Sequence, residues 1–164
     1  QLAMTDELTG IHNRRQIQAK GEVWFRQARD NGKPLCVLIL DIDHFKQVND
    51  TLGHHMGDRV LTAVASCIGA QMRHLDRVGR HGGEEFLVLL SNTSREAAAM
   101  VGERLRYATQ AAEYYADGHL IELTVSLGCS TLLPAESAES LLRRADSALY
   151  VAKREGRNRL AMAG

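Results

Sequence analysis

Pro34-Leu35-Cys36-Val37-Leu38-Ile39-Leu40-Asp41-Ile42-Asp43 is the stretch on which the fold turns. From Leu35 to Leu40 every side chain is apolar, with no polar residue in alternation, so a strand here is covered on both faces. The run then stops at two carboxylates, Asp41 and Asp43. They share a face if the extended geometry persists, whereas a turn between them parts them and leaves one to face a cation. Carboxylates at the rim of a buried sheet repel each other unless they are paired or bound to a cation. An isolated Asp-x-Asp, however, is more often a strand end solvated by water.

Outward from this strand the periodicities alternate. Upstream, the charged segment Asn13 to Asp30 carries Ile17, Trp24, Phe25 and Ala28 at loosely helical spacing, and Asn31-Gly32 supplies a stop. Downstream, Val60, Leu61, Val64 and Ile68 give a helix between Gly57 and Gln71 with one buried stripe. Arg80-His81-Gly82-Gly83-Glu84-Glu85 separates Val78 from Phe86-Leu87-Val88-Leu89-Leu90, which predicts a hairpin. Thr93 with Glu96 predicts a capping box ahead of a helix bearing Ala98, Val101, Leu105 and Ala108 on one face. A turn at Asp117-Gly118 follows, and then strict alternation from Ile121 to Leu127 predicts a half-buried strand. Leu142, Ala145 and Leu149 define a last helix, and Asn158-Arg159-Leu160 a short closing strand. The whole pattern predicts an α/β (α+β) fold, a mostly antiparallel central sheet of about five strands covered by helices.

The chain has 164 residues, enough for one domain over 1–164 with its own core. It carries 20 basic and 20 acidic residues, so no global positive field draws it onto a nucleic acid polymer, and phosphate chemistry must rest on local charge. Cys36, Cys67 and Cys129 sit in apolar runs without metal-ligand spacing, which fits buried thiols in a reducing, cytoplasmic setting. No apolar stretch approaches the roughly 20 residues that span a bilayer, so direct membrane insertion is not expected. The abrupt start at Gln1 suggests a C-terminal fragment of a longer protein, one that could itself be membrane-tethered.

Gly82-Gly83-Glu84-Glu85-Phe86 is the second feature with chemical content. Two glycines allow positive backbone dihedrals and close approach of a ligand, and two acids follow at once. A hairpin tip of this kind can hold a carboxylate beside a neighbouring strand end. Magnesium takes hard oxygen ligands, commonly one or two carboxylates completed by phosphate oxygens and water, and Asp41 with Glu84 meets that need. By itself the same pentapeptide is a β-turn with solvated glutamates.

These blocks together resemble the GGDEF-domain family of diguanylate cyclases, over nearly the whole chain. The resemblance begins at Asp6-Glu7-Leu8-Thr9-Gly10-Ile11-His12-Asn13-Arg14-Arg15. It runs on through Asp41 to Asp50, Gly53-His54, Gly57-Asp58 and the Gly-Gly-Glu-Glu-Phe signature. Thr124-Val125-Ser126-Leu127-Gly128, Ala145 to Lys153 and Gly156-Arg157-Asn158 complete it.

The resemblance implies a nucleotidyl-cyclase, palm-like fold that condenses two GTP into cyclic di-GMP and two pyrophosphates. Metal ions, Mg2+ or Mn2+, would be held by Asp41, the carbonyl of Ile42, and Glu84. Glu84 would also act in the reaction, with Glu85 and Lys46 supporting it. Asn49 and Asp58 match guanine-reading positions, and a carboxylate suits the N–H groups that adenine lacks. His54 matches a further nucleotide position. The N–H groups of His44 and Phe45, at the turn into a helix, suit the terminal phosphates, and Lys46, Lys153 and Arg157 match phosphate contacts. Each domain would bind one GTP, so catalysis needs a homodimer, and an upstream sensory or receiver domain is implied. Arg73-His74-Leu75-Asp76 matches the family's inhibitory site for the product. The alternative is a catalytically silent domain of the same fold that senses GTP or cyclic di-GMP.

Overall fold

The computed structural model describes residues 3–164. β1 (Leu35–Ile42) is buried at every position, as its unbroken apolarity requires. It pairs antiparallel with β3 (Glu85–Ser91) on one side and β6 (Val125–Thr131) on the other. β2 (Asp76–Arg80) forms the outer arm of the hairpin with β3, and β7 (Leu160–Met162) lies parallel to β6. The order is therefore β2-β3-β1-β6-β7, the five-stranded and mostly antiparallel sheet expected.

Helices cover both faces. α1 (Arg14–Asn31) and α5 (Ala138–Arg154) meet Val37, Ile39, Leu87 and Leu89 through Ile17, Ala28, Leu141 and Leu149. α2 (Phe45–Leu52), α3 (His54–Ala70) and α4 (Arg95–Ala111) close over Leu38, Leu40, Phe86, Val88 and Leu127 on the opposite face. Each fully buried Leu or Phe contributes about 1.5–3 kcal/mol, which makes this double coverage the main source of stability. α5 lies directly on the β6 backbone at Gly128, where a Cβ would sit 2.1 Å from the Ala145 carbonyl oxygen and 2.2 Å from the Leu149 nitrogen. That contact brings Lys153, one turn beyond Leu149, to the end of β1.

Several local expectations change. The cap of α4 is Ser94, whose side chain accepts from the Ala97 N–H, and Thr93 is instead buried with its hydroxyl accepting from Arg73. The alternation from Ile121 to Leu127 crosses a break. Ile121 ends β5 (His119–Ile121), which pairs only with β4 (Tyr114–Ala116), while Val125 begins β6. β6 is also buried on both faces rather than half-buried, because α4 and α5 sandwich it. α3 starts at His54 instead of Gly57. Cys36 and Cys129 are buried, but Cys67 is only half-buried. The expected helix stop holds at Gly32, with φ of 66°, and the turn at Asp117-Gly118 joins β4 to β5.

Candidate functional site

The two carboxylates at the end of β1 have separate surroundings. Asp43 is consumed structurally: Thr124 Oγ1 and Ser126 Oγ each donate to it at 2.7 Å, and the Asn158 N–H donates at 3.0 Å. Asp41 is paired with Lys153 from α5, and its Oδ1 is buried without a hydrogen-bond partner. Burial pushes the Asp41 carboxyl up to about 6 against the lowering pull of Lys153, and the neighbouring Glu84 and Glu85 add to the rise. Of the pair, Asp41 is thus the one left with an oxygen to offer.

The hairpin delivers the acids next to it. Arg80 lies opposite Phe86 in the β2–β3 register, and the N–H groups of His81 and Gly82 donate to the Glu85 carbonyl at 2.8 and 3.2 Å, closing the turn. Neither Gly82 nor Gly83 uses the positive φ that glycine allows. What Gly83 supplies is open space, since a Cβ there would meet nothing within 4 Å. The Ile42 N–H donates to the Glu84 carbonyl at 3.3 Å, and Asp41 faces Glu85 across the β1–β3 register. Glu84 borders the open clefts described below. Glu85 borders neither, and burial followed by the proximity of Asp146 raises its carboxyl above the ordinary range.

Two concavities adjoin at Glu84. The larger, about 480 Å³, holds Asn49, His54, Asp58, Arg80 and Gly83 around Phe45 and Lys46. The other, about 300 Å³, holds Asp41, Ile42, His44, Lys153 and Arg157, and shares Phe45, Lys46 and Glu84 with the first. α2 and α3 shape the first cleft through Gly57, where a Cβ would fall 1.8 Å from Asn49 Oδ1. In the second, α2 opens at His44, a left-handed residue with φ of 57° whose side chain makes no cap bond, leaving first-turn N–H groups and the positive end of the helix for an anion. The sequence-predicted residues around both clefts are therefore gathered by the fold. Lys153 is the partial exception: it stands on Asp41 rather than free among phosphate-binding groups.

The donor set suits a hard divalent cation. Among the described residues no group of three or more His, Cys, Asp or Glu side chains is placed to hold a metal alone. Two carboxylates and a strand-end carbonyl, with phosphate oxygens and water completing the shell, match what magnesium accepts. The unpartnered buried oxygen of Asp41 is the observation in favour, because such an atom is costly unless a cation meets it.

Arg73 and Asp76 lie elsewhere, at the opposite end of β2 from the hairpin, about 13 Å along the strand. The Asp76 carboxylate is buried and accepts from the Arg73 backbone N–H at 2.8 Å and from its Nε and Nη2. Arg73 itself is half exposed. Sequence reasoning gave no role to Arg80, which borders the larger cleft and holds the Gly83 carbonyl at 2.8 Å. A cation two residues before the glycine pair was the available signal.

Comparison with known proteins identifies the family and the fold. Residues 3–159 match the family described as diguanylate cyclase, GGDEF domain. The chain is 42% identical to diguanylate cyclase DgcP of Pseudomonas aeruginosa over 163 residues, 99% of this chain and 24% of DgcP. It is 39% identical to the response regulator PleD of Caulobacter vibrioides over 161 residues, 96% of this chain and 36% of PleD. The chain thus spans about a quarter to just over a third of these curated relatives. The solved GGDEF domain of DgcB from Caulobacter crescentus, in complex with c-di-GMP, superposes with a TM-score of 0.96 at 36% identity, covering 99% of this chain and 97% of that one.

Proposed function

Because the chain belongs to the GGDEF family, we propose that it is a diguanylate cyclase domain that joins two GTP molecules into cyclic di-GMP, releasing two pyrophosphates. The meeting at Glu84 of a cleft bearing Asn49 and Asp58 with a cleft bearing Asp41, Lys153 and Arg157 carries this reading. Guanine fits the first cleft, where Asp58 accepts from the ring N–H and exocyclic amine and Asn49 offers both donor and acceptor. The triphosphate fits the second, against Lys46, Arg157 and the N–H groups of His44 and Phe45.

Bound divalent cations would be held by Asp41, the Ile42 carbonyl and Glu84, supplying charge neutralisation and a lowered pKa for the attacking hydroxyl. Glu84 stands where it can accept the hydroxyl proton, and Glu85 shapes the field behind it. Lys153 neutralises Asp41 in the free domain and is within reach of phosphate once a cation takes over that role. The remainder is positioning, which phosphoryl transfer chiefly requires. One domain holds one GTP, so the product's two guanylates call for two domains facing each other.

Arg73 and Asp76 form a separate grip for the product, by which it inhibits the enzyme. The short span of the relatives covered supports an output domain within a longer cytoplasmic or membrane-tethered protein. No helix among the described residues is long and apolar enough to cross a membrane.

Incubating concentrated purified chain with GTP and magnesium, and quantifying cyclic di-GMP and pyrophosphate, tests this. Accumulation of one cyclic dinucleotide for every two pyrophosphates is expected. Tight GTP binding without product at any protein concentration would replace the enzyme reading with that of a nucleotide sensor.

A further inference from the structure

Building on the assignment of Arg157 to the triphosphate cleft, we propose that Arg106 is a positioning residue for GTP that acts through Asn158. The connection from α5 to β7 passes through three successive residues of positive φ: Gly156 at 123°, Arg157 at 64° and Asn158 at 47°. Two of them carry side chains, and residues with a Cβ rarely hold this region unless their surroundings impose it. Asparagine is among the few that tolerate it.

The surroundings here are specific. The start of the loop is tied to its own helix, with the Arg157 N–H donating to the Ala152 carbonyl at 3.0 Å. Its far end is held from two other elements. The Asn158 N–H donates to Asp43 Oδ2 at 3.0 Å, and the Asn158 Oδ1 accepts from Arg106 Nη1 at 3.0 Å. Arg106 is itself fixed on α4, donating to both Glu103 carboxylate oxygens through Nε and to Gln110 Oε1 through Nη1, with its side chain only 18% exposed.

Asn158 is thus clamped between a guanidinium from α4 and a carboxylate two residues from Asp41. Arg157 is the neighbouring residue, held in the left-handed conformation between its own tie to Ala152 and that clamp. Arg106 borders neither cleft, so its influence on a nucleotide runs through the loop. The placement of Arg157 over the phosphates is set from α4, on the opposite face of the sheet from α5.

Calorimetric titration with magnesium and a GTP analogue lacking the reacting ribose hydroxyl separates positioning from folding. R106M is expected to weaken binding about tenfold, equivalent to about 1.4 kcal/mol, at unchanged stoichiometry. N158G keeps a backbone at ease in the left-handed region and removes only the acceptor, so it should weaken binding to a similar degree, and R106K should recover part of the loss. In an R157A background, R106M should add less than about a twofold change, because the two act in series. Wild-type affinity in both R106M and N158G, with R157A weakened, overturns the role of Arg106 while leaving Arg157 in the site. Reduced stoichiometry at unchanged affinity overturns it in favour of a purely structural role. Wild-type affinity in R157A removes the phosphate assignment and this inference with it.

Discussion

Arg80 reaches from the end of β2 to Asp6, its Nη1 lying 3.2 Å from both carboxylate oxygens. The same guanidinium donates through Nε and Nη2 to the Gly83 carbonyl at 3.2 and 2.8 Å. One side chain therefore ties the segment ahead of α1 to the hairpin tip. Asp6 is fixed in turn by Thr9, whose N–H and hydroxyl donate to it at 2.9 and 2.7 Å. Burial alone would raise the Asp6 carboxyl, but these bonds and the pull of Arg80 together hold it below its ordinary value.

R80M should lower cyclic di-GMP formation by about tenfold or more, since it frees the hairpin carbonyl as well as Asp6. D6N leaves the Gly83 contacts intact and should cost less in rate, with a stability loss of about 1 kcal/mol. Initial rates and thermal melts of both variants check the order. A D6N rate as low as that of R80M would place the effect in the N-terminal segment rather than in the hairpin.

The two signature acids should separate under mutation. Glu84 borders both clefts and its backbone touches Ile42, whereas Glu85 borders neither. E84Q is expected to bring product formation to background, and E85Q to retain it within about tenfold, because the proposed reaction needs Glu84 to hold the cation and take the hydroxyl proton and needs neither of Glu85. Steady-state rates at saturating GTP decide it, and the reverse order would exchange their roles.

How much of this was open to sequence reading depends on range. The apolar run of β1 announced a doubly covered central strand because burial is written position by position. The two glycines marked a hairpin, but their φ values are ordinary, since a four-residue connection from Arg80 to Glu85 turns without left-handed residues. Alternation from Ile121 to Leu127 read as one strand because it reports inside and outside without reporting the partner strand. The ties that orient the site were illegible for a simpler reason: Asp6 and Arg80 are 74 positions apart, and Arg106 and Asn158 are 52. No local periodicity carries a pairing of that kind.

Gly57 gives a prediction that opposes helix propensity. Glycine to alanine inside a helix ordinarily gains about 1 kcal/mol, but here the added Cβ would fall 1.8 Å from Asn49 Oδ1 and 2.9 Å from its Cγ. G57A should displace Asn49 from the larger cleft, weakening GTP binding about tenfold while hardly changing affinity for ATP. Competition binding with the two nucleotides measures the ratio, and an unchanged ratio would remove Asn49 from base recognition.

At the far end of β2, Arg73 and Asp76 should respond unequally. R73A removes a half-exposed side chain remote from both clefts and should raise the cyclic di-GMP concentration needed for half-inhibition at least about tenfold, with the uninhibited rate intact. D76A also removes the buried carboxylate that accepts from the Arg73 N–H, so it should lower the melting temperature in addition. Inhibition curves beside melting curves distinguish the two.

The ion pair of Glu136 and Arg144 fixes an acid limit on stability. Arg144 Nε donates to Glu136 Oε2 at 2.7 Å, the Leu133 N–H and Ser140 hydroxyl donate as well, and the glutamate side chain is only 5% exposed. The Arg144 bond, opposed by burial, holds the carboxyl down to about 2, against 4.5 when unperturbed. A carboxyl depressed on folding adds stability that is complete above its unfolded value and is lost as pH falls through its folded one. This contribution should therefore be full at neutral pH and disappear between about 4.5 and about 2. E136Q should cost about 1–2 kcal/mol at pH 7, a drop of roughly 2–8 °C for a chain of this size. Its melting temperature should then converge on that of the wild type as the pH is lowered through that window. Because this pair lies outside both clefts, cyclic di-GMP formation at neutral pH should be unaffected. Melting curves that stay parallel down to pH 2 would show that the carboxylate contributes through its shape rather than its charge.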